Sequence, residues 1–190
     1  MPSLVTPALP PGTLAAQVQP EIHAEGLTLR PWQPEDHSVV FAAYADPAIQ
    51  RWHARTMTEE EAREYVGKWG PRWLTETGAG WAVVDGDQVA GQISFFMLDL
   101  KEGRAEVSYW VLPAARGRKT AVRALRALTE WAFGTVGLHR IEVMHSTAND
   151  PSCRVATAAG YPLEGTKRSE AKHADGWHDM HLHALVAGDC

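Results

Sequence analysis

The stretch that decides the fold is residues 105–121, which read AEVSYWVLPAARGRKTA. Its first eight residues are rich in β-branched and aromatic side chains and stop at Pro113, which predicts a strand. From the last residue of the stretch onward, apolar residues recur at positions 121, 125, 128 and 132, a spacing that predicts a helix. Because the first amides of a helix have no partner within it, this strand–loop–helix junction favours an anion such as phosphate. The alternative is that the basic residues at the start of this helix lie in solvent and form no anion site. The loop carries Arg116, Arg118 and Lys119.

The rest of the chain alternates between strand and helix patterns. Thr58 and Glu61 match a capping box, and Asn149 precedes an acid and a proline, so both positions predict helix starts. A period of two between 180 and 186 predicts a final strand with one buried face. Helices are predicted at 34–45, 58–74 and 149–160, and strands at 27–30, 81–84, 89–97, 105–112, 141–144 and 180–186. This order predicts an α/β domain with a mixed sheet.

Composition narrows the class of protein. A length of 190 residues, 45% of them hydrophobic, fits one domain with a sizeable core. No run of about 18 apolar residues and no signal-peptide pattern occur, so we expect no membrane segment and no secretion. The two cysteines, Cys153 and Cys190, exclude a disulfide scaffold, which favours a cytoplasmic protein. A net charge of −5 disfavours nucleic-acid binding and suits a cationic substrate such as an amine.

Residues 1–24 differ from the rest, because five prolines punctuate a segment with little periodicity. We predict an extended or partly disordered Pro-rich arm here, and a segment packed on the domain or on a partner subunit is the alternative. The folded domain is predicted to occupy residues 25–187.

Four motifs in order resemble one known family, the GCN5-related N-acetyltransferases (GNAT), and more closely its RimJ/RimL-type protein N-terminal acetyltransferases. The motifs are Leu29-Arg30-Pro31-Trp32, residues 105–110, Arg116-Gly117-Arg118 with Ala121, and Asn149 with Ser152, Arg154, Val155, Gly160 and Tyr161. The resemblance covers about residues 26–186. It implies the GNAT fold, a mixed sheet flanked by helices in which parallel strands at about 104–112 and 139–145 splay apart to admit coenzyme A. The implied activity is acetyl transfer from acetyl-CoA, as cosubstrate, to a primary amine.

The resemblance also implies a cofactor site. The pyrophosphate would lie on the loop amides, and the pantetheine would pair with the strand edge near Val111. Asn149 is a helix cap, a pantetheine contact, or both. Lys119 departs from the family, which has a small residue there. It would either crowd the pyrophosphate or point away. We expect the second, with Lys119 in unstrained helical dihedrals. The loop residues assigned to the cofactor are Arg116, Gly117, Arg118, Lys119, Thr120 and Ala121.

Two residues are candidates for catalysis. Glu106 matches the family's glutamate base, and its alternative is an exposed carboxylate that pairs with Arg104 or the substrate. The oxyanion would meet a backbone amide near Val111. Many family members use a tyrosine acid where this chain has Ala156, and RimL-like proteins suggest Ser152 as the replacement. The alternative for Ser152 is an ordinary hydroxyl in the first turn of the helix, which satisfies free backbone amides.

The remaining candidates surround the implied cleft. His181 and His183 share a strand face with Asp179 and could chelate a metal, but no further acid or cysteine pattern completes a site, so no metal is predicted. These histidines are expected to be half-buried polar residues, or to contact the acceptor. Cys153 is expected to be a small core residue rather than a nucleophile. Tyr109 and Trp110 should line the pocket or pack in the core. Residues expected to shape the acceptor pocket are Trp52, His53 and Arg55.

The acceptor is either a protein N-terminus or a small amine. The sequence does not distinguish them, because the loops that bind acceptors vary and their residues do not identify the acceptor. The rival hypothesis is a non-catalytic acyl-CoA-binding or interaction protein on the same fold, suggested by Lys119 and Ala156. No nucleic-acid or membrane partner is expected, and the resemblance allows a homodimer.

Overall fold

A computed structural model describes residues 4–189, so the first three residues and Cys190 lie outside the described residues. The strands are β1 (Ile22–Ala24), β2 (Leu27–Pro31), β3 (Ala79–Asp85), β4 (Gln88–Asp99), β5 (Arg104–Val111), β6 (Arg140–Ser146), β7 (Leu163–His173) and β8 (Gly176–Val186). The α-helices are α1 (His37–Ala43), α2 (Pro47–His53), α3 (Glu59–Gly67), α4 (Trp69–Leu74), α5 (Thr120–Trp131) and α6 (Asp150–Ala159). Within residues 4–189, no helix is both long and apolar enough to cross a membrane.

The eight strands found within residues 4–189 belong to one sheet, in the order β1-β2-β3-β4-β5-β6-β8-β7. Only β5 and β6 pair in parallel among the described strands, through residues 104–107 and 140–143. Beyond Val107 and Val143, β5 stays paired with β4, and β6 stays paired with β8. The two central strands therefore separate and leave a wedge-shaped gap. The prediction of a mixed sheet with splayed parallel strands is confirmed.

Helices cover both faces of the sheet. Alternate residues of β5 point to opposite faces, so Val107 belongs to the core beneath α5 and α6, whereas Trp110 packs with residues of α1 to α4. Leu125 and Leu128 of α5 are fully buried in the first core. Tyr65 and Trp69 belong to the second. The gap between β5 and β6 therefore lies between two packed layers that fix the position of its walls.

The Pro-rich segment packs on the domain instead of extending from it. Leu14 is only 2% exposed and joins the first core with Leu9 and Ile22. The carboxylate of Glu76 accepts hydrogen bonds from the amides of Gly12 and Leu14, both at 2.7 Å. Of the two predictions for this segment, the described residues adopt the alternative, a segment packed on the domain, and not an extended or partly disordered arm. The buried apolar residues follow neither a helical nor a strand period, so the sequence pattern gives no sign of their burial.

Two helix predictions also need correction. The helix predicted over 58–74 begins at the Thr58 capping box as expected, but it divides into α3 and α4 around Lys68. Pro71 has no amide to donate to the carbonyl of Gly67, so the helical hydrogen-bond ladder is interrupted there. The helix predicted over 34–45 ends before Pro47, and Pro47 itself, for which no helix is predicted, is the first residue of α2, with Asp46 as its cap.

Candidate active site

A cavity of about 900 Å³ opens where β5 and β6 separate. Its walls are the edge of β5, the end of β6, the basic loop and the first turns of α5 and α6. The structure thus brings together nine of the ten residues predicted for the site. They are Glu106, Val111, Arg116, Gly117, Lys119, Thr120, Ala121, Asn149 and Ser152.

Glu106 projects from the middle of β5 into this cavity and is half-buried. It stands in register with Glu142 of the parallel strand β6. Burial, and then the negative charge of Glu142, raise the pKa of Glu106 to about 7, although Lys167 and Arg104 oppose this shift. A carboxyl group with this pKa is substantially ionised near neutral pH and still basic enough to accept a proton from an amine.

On the other side of β5, Tyr109 reaches α6 and contacts a predicted site residue. Its phenol oxygen lies 2.7 Å from the hydroxyl of Ser152. Burial raises the pKa of Tyr109 to about 12, so the phenol keeps its proton at neutral pH. The amide of Ser152 donates to the side-chain oxygen of Asn149 at 3.2 Å, which makes Asn149 the cap of α6, as predicted. Ala156, where the resemblance places a tyrosine in other proteins, is fully buried.

The expected conformation of Lys119 is wrong. It caps α5 with φ +58° and ψ +21°, in the left-handed region, rather than with helical dihedrals. Gly117, two residues earlier, also has a positive φ of 80°. The chain folds back sharply here, and the hydroxyl of Thr120 closes the loop by donating to the carbonyl of Ala115 at 3.0 Å. A lysine in this region is strained, which explains why a small residue is the usual occupant.

The two arginines of the loop lie in different surroundings. The Arg116 guanidinium donates to the Val111 carbonyl at 3.2 Å and pairs with the Asp46 carboxylate at 2.8 Å, and this hydrogen bond lowers the pKa of Asp46. Arg116 thereby ties the loop to β5 and to the start of α2. Arg118 is not part of the cavity lining. Its side chain is 65% exposed and lies 3.7 Å from Asp85, so its predicted contact with the cofactor stays a prediction.

The opposite end of the cavity is formed by α2 and the edge strand β7. Trp52 and His53 line it, and the Trp52 ring lies edge-on to His173 of β7 at 6.2 Å between ring centroids. Burial lowers the pKa of His53, which favours its neutral form. Arg55 lies outside the lining, with its guanidinium 5.7 Å from the centre of the Tyr44 ring. Two of the three residues predicted for the acceptor pocket therefore reach the cavity.

Two histidines of β8 lie beside His145 of β6, which lines this cavity. His181 and His183 are joined there by His145 of β6 and Cys153 of α6. Asp179 is not part of this group, and its carboxylate accepts instead from the amide of Ser169 at 2.8 Å.

Comparison with known proteins identifies the class. An uncharacterized N-acetyltransferase, p20, from Bacillus licheniformis is 25% identical over 169 residues, which cover 87% of this chain and 95% of p20. The ribosomal-protein-serine acetyltransferase of Escherichia coli is 26% identical over 137 residues, covering 71% of this chain and 75% of that protein. The solved structure of RimL, a ribosomal α-N-protein acetyltransferase in complex with coenzyme A, superimposes with a TM-score of 0.81 at 19% identity. The superposition covers 88% of this chain and 98% of the RimL chain.

These similarities and the splayed sheet define an acetyltransferase. Residues 26–162 match the family model described as an acetyltransferase (GNAT) domain, and the chain belongs to that family. The predicted GNAT membership, the enzyme class and the resemblance to the RimL-like branch are confirmed.

Proposed function

We propose that this acetyltransferase moves the acetyl group of acetyl-CoA to the α-amine of a peptide, with a small-molecule amine as the second class of acceptor. The observation that carries the proposal is Glu106, a carboxyl group with a pKa of about 7 in the gap between the central strands. The peptide acceptor is favoured because one relative is a ribosomal-protein-serine acetyltransferase. A second carboxylate in the cavity, Glu170, also suits an acceptor that arrives as an ammonium ion.

The basic loop, residues 116–121, is the proposed binding site of the pyrophosphate. The first amides of α5, from Thr120 onward, have no carbonyl partner within the helix, and their dipoles favour an anion. Arg116 and Lys119 line the same part of the cavity and add positive charge. Arg118 contributes from the exposed rim. The free edge of β5 near Val111 would receive the pantetheine, and Asn149 would face it from α6.

In the proposed reaction, the proton acceptor and the proton donor lie on opposite sides of β5. Glu106 accepts the proton of the acceptor ammonium, directly or through a water molecule, and the free amine can then attack the thioester carbonyl. A backbone amide near Val111 stabilises the negative charge on the carbonyl oxygen. Ser152 donates a proton to the departing sulfur, and the Tyr109 phenol supports the Ser152 oxygen through their hydrogen bond. The attacking nitrogen releases its second proton as the amide forms, and that proton returns to Ser152 through water. The new bond joins the amine nitrogen to the acetyl carbon as the carbon–sulfur bond breaks.

The experiment is an acceptor panel with labelled acetyl-CoA. Short peptides that differ only in their first residue should accept the label, whereas the same peptides with a blocked N-terminus should not. A set of small amines is tested in parallel. If only small amines are acetylated, the peptide acceptor is wrong. If acetyl-CoA binds in calorimetry but no amine of either class is acetylated, the catalytic assignments fail and the role of a non-catalytic acyl-CoA-binding protein is favoured.

A further inference from the structure

Four side chains of types that can bind metals converge between α6 and the strands β6 and β8. None of them is assigned to acetyl transfer, although His145 also lines the cavity. His145 lies on β6, His181 and His183 lie on β8, and Cys153 lies on α6. One ligand atom from each side chain can be chosen so that all four lie within 4.8 Å of one another. Strand register creates the cluster, because His145 is directly opposite His181, and His183 follows on the same face.

The hydrogen bonds of two of these histidines leave one nitrogen of each ring for a metal. His183 Nδ1 lies 3.0 Å from the carbonyl of Tyr161, and His145 Nδ1 lies 2.8 Å from the carbonyl of Ser146. A carbonyl oxygen can only accept, so both Nδ1 atoms donate and each Nε2 atom keeps a lone pair, which in His183 faces the Cys153 thiol. This pattern, in which a histidine anchors its second nitrogen on a carbonyl, is typical of metal ligands.

Two ring nitrogens of the cluster have no hydrogen-bond partner among the described residues. His145 is only 4% exposed, and its Nε2 atom is buried without a hydrogen-bond partner among residues 4–189. The Nδ1 atom of His181 is likewise buried and unpaired among the described residues. Leaving buried polar atoms unpaired costs free energy, which a bound cation would recover. Cys153 Sγ completes the group at 3.9 Å from His183 Nε2.

We propose that these four residues form a structural zinc site with one thiolate and three imidazole ligands. Zinc takes four such ligands in a tetrahedron, with bonds of about 2.0 to 2.3 Å and ligand atoms about 3.3 to 3.8 Å apart. The observed group is somewhat wider and has to contract on binding. Three imidazoles and one thiolate suit zinc better than the hard cations magnesium and calcium. Closed four-fold coordination would join α6 to β6 and β8 next to the cavity, which His145 also lines.

This proposal departs from the sequence prediction of no metal. His181 and His183 are recognisable in the sequence as a pair on one strand face. The other two ligands come from distant elements, and only the packing of α6 on β6 and β8 places them beside that pair.

The test is a titration of the untagged, chelator-treated and desalted full-length protein with cobalt(II), a spectroscopic substitute for zinc. We expect saturation at one equivalent, intense visible bands of a tetrahedral site, a thiolate-to-cobalt charge-transfer band, and displacement by zinc. Cys153→Ser should abolish the charge-transfer band, and His183→Gln should weaken cobalt binding by more than about 100-fold, since replacing outer partners alone costs 10- to 100-fold. Cys190→Ser and His23→Gln are the matched controls and should bind like wild type.

Circular dichroism establishes that each variant is folded. X-ray absorption of the zinc-loaded wild-type protein gives an independent readout that needs no variant, and we expect one sulfur and three nitrogen neighbours. A wild-type protein without the charge-transfer band, or a band that survives Cys153→Ser and disappears in Cys190→Ser, would overturn the proposal.

Discussion

The phenol of Tyr109 and the hydroxyl of Ser152 are joined by a 2.7 Å hydrogen bond between β5 and α6, at the wall of the cavity. The cap of α6 is supplied by Asn149, so the Ser152 side chain has a partner other than the free amides of its own helix. This arrangement favours a role for the hydroxyl in proton transfer.

Ser152→Ala should reduce the turnover number by roughly tenfold or more and leave acetyl-CoA affinity nearly unchanged, because an acid assists a thiolate leaving group without being essential. Steady-state kinetics and calorimetry on the same preparation measure both quantities. Thr157→Ala, which removes an exposed hydroxyl from the same helix, is the control. A Ser152→Ala protein that loses about 1 kcal/mol of stability but keeps full turnover would show that the hydroxyl is only structural.

Tyr109→Phe should have a smaller effect, a loss of about 2- to 10-fold in turnover, which corresponds to one hydrogen bond. Because the two hydroxyls form one pair, the double variant should be little slower than Ser152→Ala alone. Kinetics of both single variants and the double variant measure this coupling. Fully additive losses would mean that Tyr109 and Ser152 act independently.

Lys119→Gly should increase the free energy of unfolding by about 1 kcal/mol, since glycine adopts a φ of +58° without the strain that a lysine suffers there. Lys119→Ala removes the same charge but keeps the strain, so it should bring no such gain. Chemical denaturation compares the three proteins. Equal stability of the glycine and alanine variants would contradict the left-handed conformation of Lys119. Acetyl-CoA affinities that are equal in these two variants but differ from that of the wild type would show that only the charge of Lys119 affects cofactor binding.

Leu14→Ala should lower the free energy of unfolding by about 2 to 5 kcal/mol, because this side chain is only 2% exposed in the core beneath the Pro-rich segment. Leu4→Ala is the matched control, since that leucine is fully exposed and its loss should change little. Thermal or denaturant unfolding measures both. Equal and small effects would mean that the segment is a free arm in solution.

The sequence predicted those parts of the fold that depend on local chemistry. The Thr58 capping box, the Asn149 cap and the stop at Gly160 each use neighbouring residues only, and all three appear where expected. The sequence left the Pro-rich segment open between an arm and a packed segment, because its burial depends on Glu76, more than 60 residues away, and on the core. The helix α2 is absent from the sequence prediction because a proline such as Pro47 is compatible with both the end of one helix and the first turn of the next.

In the candidate site, too, some features were predicted from local sequence and others depend on how distant elements pack. The positions of Glu106 and the loop followed from the resemblance and from the strand–loop–helix pattern. The Tyr109–Ser152 pair depends on how α6 packs against β5, which no spacing in the sequence encodes. The conformation of Lys119 was predicted wrongly because a helix start admits both helical and left-handed caps, and the closure of the loop by Thr120 selects the second.

The pH dependence of turnover should follow Glu106. At saturating substrates, the wild-type rate should rise as pH increases through about 7, because the carboxyl must lose its proton before it can accept one. Glu142→Gln removes a negative charge that raises this pKa, so the rise should move to lower pH. An unshifted profile in that variant would mean that the rise belongs to another group.

The most direct test of the whole account compares acetyl transfer by wild type and Glu106→Gln across this pH range, with acetyl-CoA and an unblocked peptide. The amide keeps the shape of the carboxyl but cannot accept a proton, so we expect unchanged acetyl-CoA binding, acetylated peptide formed rapidly by the wild type, and slow transfer without the rise near pH 7 in the variant. Mass spectrometry of the peptide and the release of coenzyme A thiol give two independent readouts. A Glu106→Gln enzyme with the rate and pH profile of wild type would contradict the central claim that this carboxylate drives acetyl transfer.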